Sequence, residues 1–226
     1  MKFDIIYSGD NMILYYGADS KVIKPEHLKG SQQNDYGLGF YMTPEYDKAK
    51  IWASKFSQGG YLIKYEVDLE GLDVLHIDGA NEEAILKWAT LLISNRFDSR
   101  TYDLYKGTIE FLQKHFLTDL DFVDFIIGYR ADDSYFSYMN SFVKNELSLE
   151  LLSQAMKLGH LGLQYVAISK KAFSRIKFIS MEYVEHNNEY AKFQRKIEQQ
   201  YKELKKDDKI TNTFIRDIMR KYEKDV

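Results

Sequence analysis

Residues 34–53 constrain the chain most, because two glycines, Gly37 and Gly39, stand two apart among bulky neighbours. Such a pair needs backbone that turns with positive φ, or that lets another segment approach closely. Phe40-Tyr41-Met42 then reads as a short strand. Thr43 with Pro44 directly behind it reads as a helix N-cap and first-turn proline. Ala49, Trp52, Ala53 and Phe56 follow at helical spacing, which predicts a helix over 44–57. A glycine-bearing loop therefore feeds a strand that feeds a helix. Taken alone, this unit reads equally as a hairpin loop with an ordinary helix start.

The rest of the chain mixes strands and helices without regular alternation. Residues 2–16 read as one or two strands broken at Ser8-Gly9-Asp10-Asn11, a turn composition. Pro25 argues against a central strand over 22–28, and His27 beside it reads as a surface loop residue. After Gly59-Gly60, residues 61–69 alternate apolar and polar as a half-buried strand does, and 72–77 continue the sheet. Asn81, Glu82 and Glu83 open a helix carrying Ile85, Trp88, Ala89, Leu92 and Ile93. Further on, helices are expected over 108–116, over 134–143 and from Ser148, a cap, to Gly159. Strands are expected over 122–129, 164–169 and 178–183. The fold class is α+β.

The last forty residues have a different character. Tyr190, Phe193, Ile197, Tyr201 and Leu204 form a narrow apolar seam on a charged helix, and Ile210, Phe214, Ile215 and Ile218 mark a second one. From Asn187 onward there are eleven Lys or Arg against eight Asp or Glu. We read residues 1–183 as the principal domain and 184–226 as a charged helical extension. It docks on that domain or on a partner, in preference to serving as a nucleic-acid arm.

Composition narrows the chemistry. Cysteine is absent, which removes disulfides, thiolate nucleophiles and cysteine-bound zinc. The five histidines are too scattered to suggest a metal site. With no long apolar run and no signal-like opening, the expectation is a cytoplasmic protein that does not engage the membrane. A net charge of -3 gives no global pull toward nucleic acid. The 18 tyrosines and 14 phenylalanines suit a core better than an extended stacking surface.

A second stretch lies upstream of the glycine loop. Ile13-Leu14-Tyr15-Tyr16-Gly17-Ala18 is a short apolar strand ending in an aromatic and a glycine. That order, followed by Gly-x-Gly-Phe-Tyr and an Ala-x-x-Trp-Ala helix, resembles the ADP-ribosyltransferase fold. The branch is the His-Tyr-Glu type shared by diphtheria toxin and the poly-ADP-ribose polymerases, and within it a bacterial family of unknown function. Two downstream segments extend the resemblance: Ile126-Ile127-Gly128 running into Ala131-Asp132-Asp133, and Leu163–Ile168, which is similar to the strand that carries the family's glutamate. It spans roughly residues 12 to 180.

The resemblance implies a split mixed sheet with flanking helices and a site for NAD used as a substrate. Tyr16 stands at the position that holds the adenosine ribose, Tyr41 where nicotinamide is stacked, and Gln164 at the glutamate that bonds the nicotinamide ribose. It also implies that Gly17 offers backbone groups to the nicotinamide amide, and that Asp35, Gly37, Gly39, Phe40, Thr43, Trp52 and Arg130 line the pocket.

Tyrosine replaces the expected histidine at Tyr16, and glutamine replaces glutamate at Gln164. An amide can bond a ribose hydroxyl but brings no negative charge to an oxocarbenium-like state and is no base. Polymerase activity is therefore not expected. A mono-transferase needs a carboxylate nearby, and the candidates are Asp35, Asp132 and Asp133. Asp132 and Asp133 read as well as caps of the helix from Ser134, and Arg130 reads either as a diphosphate fork or as their ion-pair partner.

Three functions remain open on the sequence. One is a mono-ADP-ribosyltransferase toxin with a protein or nucleic-acid acceptor, which implies a neutralising antitoxin. The second is an NAD- or ADP-ribose-binding module without turnover. The third is an interaction protein acting through its C-terminal helices.

Overall fold

Leu14, Ile63, Tyr65 and Val67 are apolar strand residues that share one core, and all four are buried. They belong to an antiparallel sheet of three strands, ordered β1-β3-β7: β1 (Met12–Ala18), β3 (Gly60–Val67) and β7 (Ile176–Val184). The computed structural model describes residues 11–77, 81–96, 99–131, 133–156, 162–207, 209 and 211–224. β3 lies in the centre, its Ile63 opposite Tyr16 on one side and Met181 on the other.

A second sheet of four strands has the order β2-β6-β5-β4: β2 (Phe40–Met42), β6 (Leu163–Ala167), β5 (Phe125–Tyr129) and β4 (Val74–Ile77). Only β4 and β5 run parallel. Its central strands are buried on both faces, so they read as continuous apolar runs. Period-two alternation still sorts their side chains. Phe125, Ile127, Tyr165 and Ala167 face the first sheet, whereas Ile126 and Val166 face a layer of helices.

That helical layer comprises α2 (Glu82–Arg96), α4 (Lys106–Phe116), α5 (Asp133–Val143) and α6 (Leu149–Ala155). The molecule is thus sheet on sheet on helices, a mixed α+β arrangement with two large apolar cores and a small one formed by Ala49, Ala53, Leu62 and Val184. α8 (Glu189–Leu204) and α9 (Ile215–Lys224) are amphipathic and join the helical core through Ile197, Ile215 and Ile218. Tyr138 of α5 stacks on Tyr201 of α8, with ring centroids 3.7 Å apart.

Several expected boundaries move. α1 (Tyr46–Ala53) starts later and ends earlier than 44–57, and Glu45 rather than Thr43 is its N-cap. The Thr43 hydroxyl instead accepts a bond from the Glu45 N–H at 3.2 Å, a local turn that sets the helix entry. The helix from Ser148 ends at Ala155, and Gly159, its expected end, lies outside the described residues, as do Ile210 and His160. The opening strand is described only from Met12. Two short helices were not read from the sequence, α3 (Ser99–Leu104) and α7 (Lys170–Ser174). The second is capped by Ser169, whose hydroxyl accepts the Ala172 N–H at 3.1 Å. Among the described residues, no helix is long and apolar enough to cross a membrane.

Candidate functional site

Besides packing face to face, the two sheets are hydrogen-bonded to each other among the described residues by a two-residue bridge between β1 and Thr43, which directly follows β2. Tyr15 N–H donates to the Thr43 carbonyl at 2.7 Å, and Thr43 N–H returns a bond to Tyr15 at 2.9 Å. Beside this bridge opens a cleft of about 510 Å3, a size suited to a small organic ligand. Its walls come from β1, the 29–35 loop, β2, α1, β6 and the N-terminal end of α8.

The glycines do what their spacing demands, each in a different way. Gly37 adopts φ +76, the left-handed turn. Gly39 has an ordinary φ, but a Cβ there would sit 2.6 Å from Val166 Cγ1, so β2 can lie against β6 only with glycine at this position. Tyr41 stands opposite Val166 in the β2–β6 register, two residues along from Gln164. The Tyr41 hydroxyl donates to the Gly37 carbonyl at 2.7 Å and accepts the Tyr36 N–H at 3.0 Å. It therefore ties the glycine loop shut while its ring lines the cleft. Burial pushes that hydroxyl far above its ordinary titration range, which keeps it neutral.

The 29–35 loop delivers Asp35 to the floor of the cleft, where it is 6 % exposed. Arg96 Nη1 donates to Asp35 Oδ1 at 2.7 Å. The Ala131 N–H donates to Oδ2 at 2.9 Å, and Gln164 Nε2 donates to the same oxygen at 2.8 Å. Arg96 also bonds the Ala131 carbonyl at 2.9 Å. Burial raises the Asp35 pKa above the usual carboxylate range, opposed by Arg96, Ala131 N–H and Gln164. The carboxylate is thus built into an ion-pair network and does not face the cleft as an open anion.

The remaining expected residues distribute as follows. Tyr16, Gly17, Gly39, Phe40, Thr43, Trp52, Arg130 and Gln164 line the same cleft as Tyr41 and Asp35. Tyr16 packs on Phe40 with ring centroids 4.6 Å apart, and burial, with Asp19 nearby, raises its pKa. Gly17 has a packing reason of its own: a Cβ there would meet the Ala49 carbonyl at 2.4 Å, so glycine lets α1 lie on β1. Gly37 shapes the loop without lining the cleft. The Arg130 guanidinium lies over the Trp52 ring, 4.2 Å from its centroid. Asp132 lies outside the described residues, and the side chain of Asp133, first residue of α5, does too. His27 bonds the Ile168 carbonyl at 3.1 Å and anchors its loop away from the cleft.

Sequence reasoning missed Lys29, Asn95, Arg96 and Tyr190. Arg96 looked like an ordinary cation in the last turn of a helix, where the helix dipole alone would favour one. Nothing along the chain signals that it pairs with a carboxylate 61 residues earlier. Tyr190, part of the apolar seam of α8, reaches the cleft wall and meets Trp52 edge-on at 5.4 Å. The charged side chains that line the cleft among the described residues are Lys29, Arg96, Arg130 and Asp35, a balance that favours an anionic ligand. Among the described residues, no cluster of three His, Cys, Asp or Glu has the arrangement of a metal site.

A family described as a protein of unknown function (DUF3990) matches residues 12–178. No curated protein and no solved structure matches the chain.

Proposed function

From a chain that belongs to the DUF3990 family, of unknown function, and from its cleft, we propose that the protein binds NAD and transfers ADP-ribose to a single site on a macromolecular acceptor. The observation that carries this reading is that Tyr16, Tyr41 and Gln164, far apart in the chain, line one cleft. These are the positions that the ADP-ribosyltransferase resemblance marks for gripping the two riboses and stacking nicotinamide. Breaking the bond from ribose to nicotinamide develops positive charge on the sugar, so the enzyme must hold the sugar hydroxyls and the departing ring in place. Gln164 offers a hydrogen-bonding group to the hydroxyl, Tyr41 a ring, and Lys29 and Arg130 positive charge for a diphosphate. Such activity inside the producing cell would be toxic, which fits a toxin held by an antitoxin protein in the cytoplasm.

One observation favours a second reading, a nucleotide-binding module without turnover. Asp35, the carboxylate among the described cleft residues, is committed to Arg96, Ala131 and Gln164. Little negative charge is then left to favour an oxocarbenium-like state.

Nicotinamide release from NAD by the purified protein, with and without cell lysate, separates the two. Transfer predicts release that Gln164→Ala lowers at least tenfold and that Tyr41→Phe lowers less, since the ring remains. Binding alone predicts a calorimetric NAD signal with no release. Absence of both refutes the NAD reading.

A further inference from the structure

Gln164 and Asp35 are each 6 % exposed, and the hydrogen bond between them, together with the Tyr36 hydroxyl that the same amide meets, fixes which way the amide faces. An ionised carboxylate accepts and never donates, so the amide must turn its nitrogen, and not its oxygen, toward Asp35. The carboxylate has no freedom to move aside. Arg96 holds Oδ1, Ala131 N–H holds Oδ2, and Asn95 Nδ2 holds the Asp35 main-chain carbonyl at 3.1 Å. Groups from α2, from the segment after β5 and from β6 therefore converge on one side chain.

We propose that Asp35 is a positioning residue that locks the Gln164 amide with its carbonyl oxygen left for the ligand, so that this place in the cleft takes a hydrogen-bond donor, a sugar hydroxyl by class. Gln164 then presents the same acceptor that a carboxylate would, without the charge. That the sugar is a ribose of NAD rests on the function proposed above; the orientation of the amide does not. A corollary concerns glutamate at this position. It would bring a second carboxylate against Asp35 in a buried site, and two such groups cannot both ionise cheaply. The departure from glutamate at position 164 and the presence of Asp35 are in this sense one feature.

The groups facing the pair are Arg96 from α2, Tyr36 from the loop and Tyr41 from β2, with Arg130 lining the same cleft. Burial raises both tyrosine hydroxyls well above their ordinary range, so neither titrates between pH 5 and 8. Of the groups facing the pair, the carboxylates alone therefore report there.

The test is thermal melting between pH 5 and 8, without nucleotide, of the wild type, Gln164→Glu, Asp35→Asn and the double variant. Gln164→Glu is expected to lower the melting midpoint at pH 8 by about 5 °C or more, with the gap narrowing toward pH 5 as the carboxylate pair takes up a proton. The double variant restores one amide facing one carboxylate and keeps a negative charge beside Arg96, so it recovers at least half of that loss. A Gln164→Glu protein as stable as the wild type at pH 8 overturns the proposal. So do losses that merely add in the double variant, or a double variant that does not fold. Calorimetry with NAD on the wild type is read separately: coupling between the two positions without NAD binding supports the lock and refutes NAD as its ligand.

Discussion

At Gly39 an added methyl would sit 2.6 Å from Val166 Cγ1 and 3.1 Å from the Ala167 carbonyl, both on the neighbouring strand. Neither neighbour can retreat cheaply, since Val166 is fully buried between the second sheet and the helices. Gly39→Ala should therefore cost about 1–3 kcal/mol in urea unfolding, the range for overpacking a tight interior. Gly107 is the matching control. It lies in α4, is exposed and has nothing within 4 Å of a built Cβ. Gly107→Ala should raise stability by about 0.5–1 kcal/mol through helix propensity. The same residue type thus has opposite predicted effects at two places, and only the surroundings of each decide which. The glycine pair had announced itself in the sequence because backbone sterics are local. Which member turns and which is approached was not legible there, because the approaching Val166 is more than a hundred residues away.

Individual elements meet at Asp124, just before β5. Its carboxylate accepts the N–H of Asp73, just before β4, at 3.0 Å, and the Lys171 ammonium of α7 at 2.8 Å. It also accepts the Ser169 hydroxyl that caps α7. Burial works against the charged form, but the Lys171 and Ser169 bonds and the Asp73 N–H outweigh it, so the Asp124 pKa lies below the ordinary carboxylate value. A lowered folded-state pKa stabilises the fold above the unfolded-state value, near pH 4, and that contribution is lost as the pH falls through the folded-state value. Lys171 is half exposed, so solvent screens its share. The melting midpoint of Asp124→Asn should accordingly fall below that of the wild type at pH 7, and the gap should close below about pH 4. Periodicity found the strands and the long helices here. α7 went unread because five residues are too few to show a helical period, and its cap became recognisable once Ser169 was seen beside Asp124.

For the whole molecule, the C-terminal helices decide how far the fold is self-sufficient. Ile197 and Ile215 are fully buried and Ile218 nearly so, all within the core that α2, α4, α5 and α6 share. Thr213 accepts the Leu149 N–H at 2.8 Å and donates its own hydroxyl to Glu150 at 2.8 Å, closing the N-terminal end of α6. A chain ending after Val184 would lose these contacts and expose that core. It is expected to lose cooperative melting and to bind a hydrophobic dye, whereas Ile197→Ala alone should cost about 2–5 kcal/mol. What the sequence determined by itself was local: the α+β mix, the strand and helix periods, the glycine loop, the Ser148 cap and the amphipathic seam of the tail. Each follows from backbone sterics or from one side chain acting on its near neighbours. Only the tertiary structure decided that Asp35 is bound by Arg96 and Gln164, that Tyr41 closes its own loop, and that Tyr190 of the tail walls the cleft. Those contacts link residues mostly far apart in the chain, and no propensity or period encodes which distant side chain will arrive when two sheets and a helical layer close on one another.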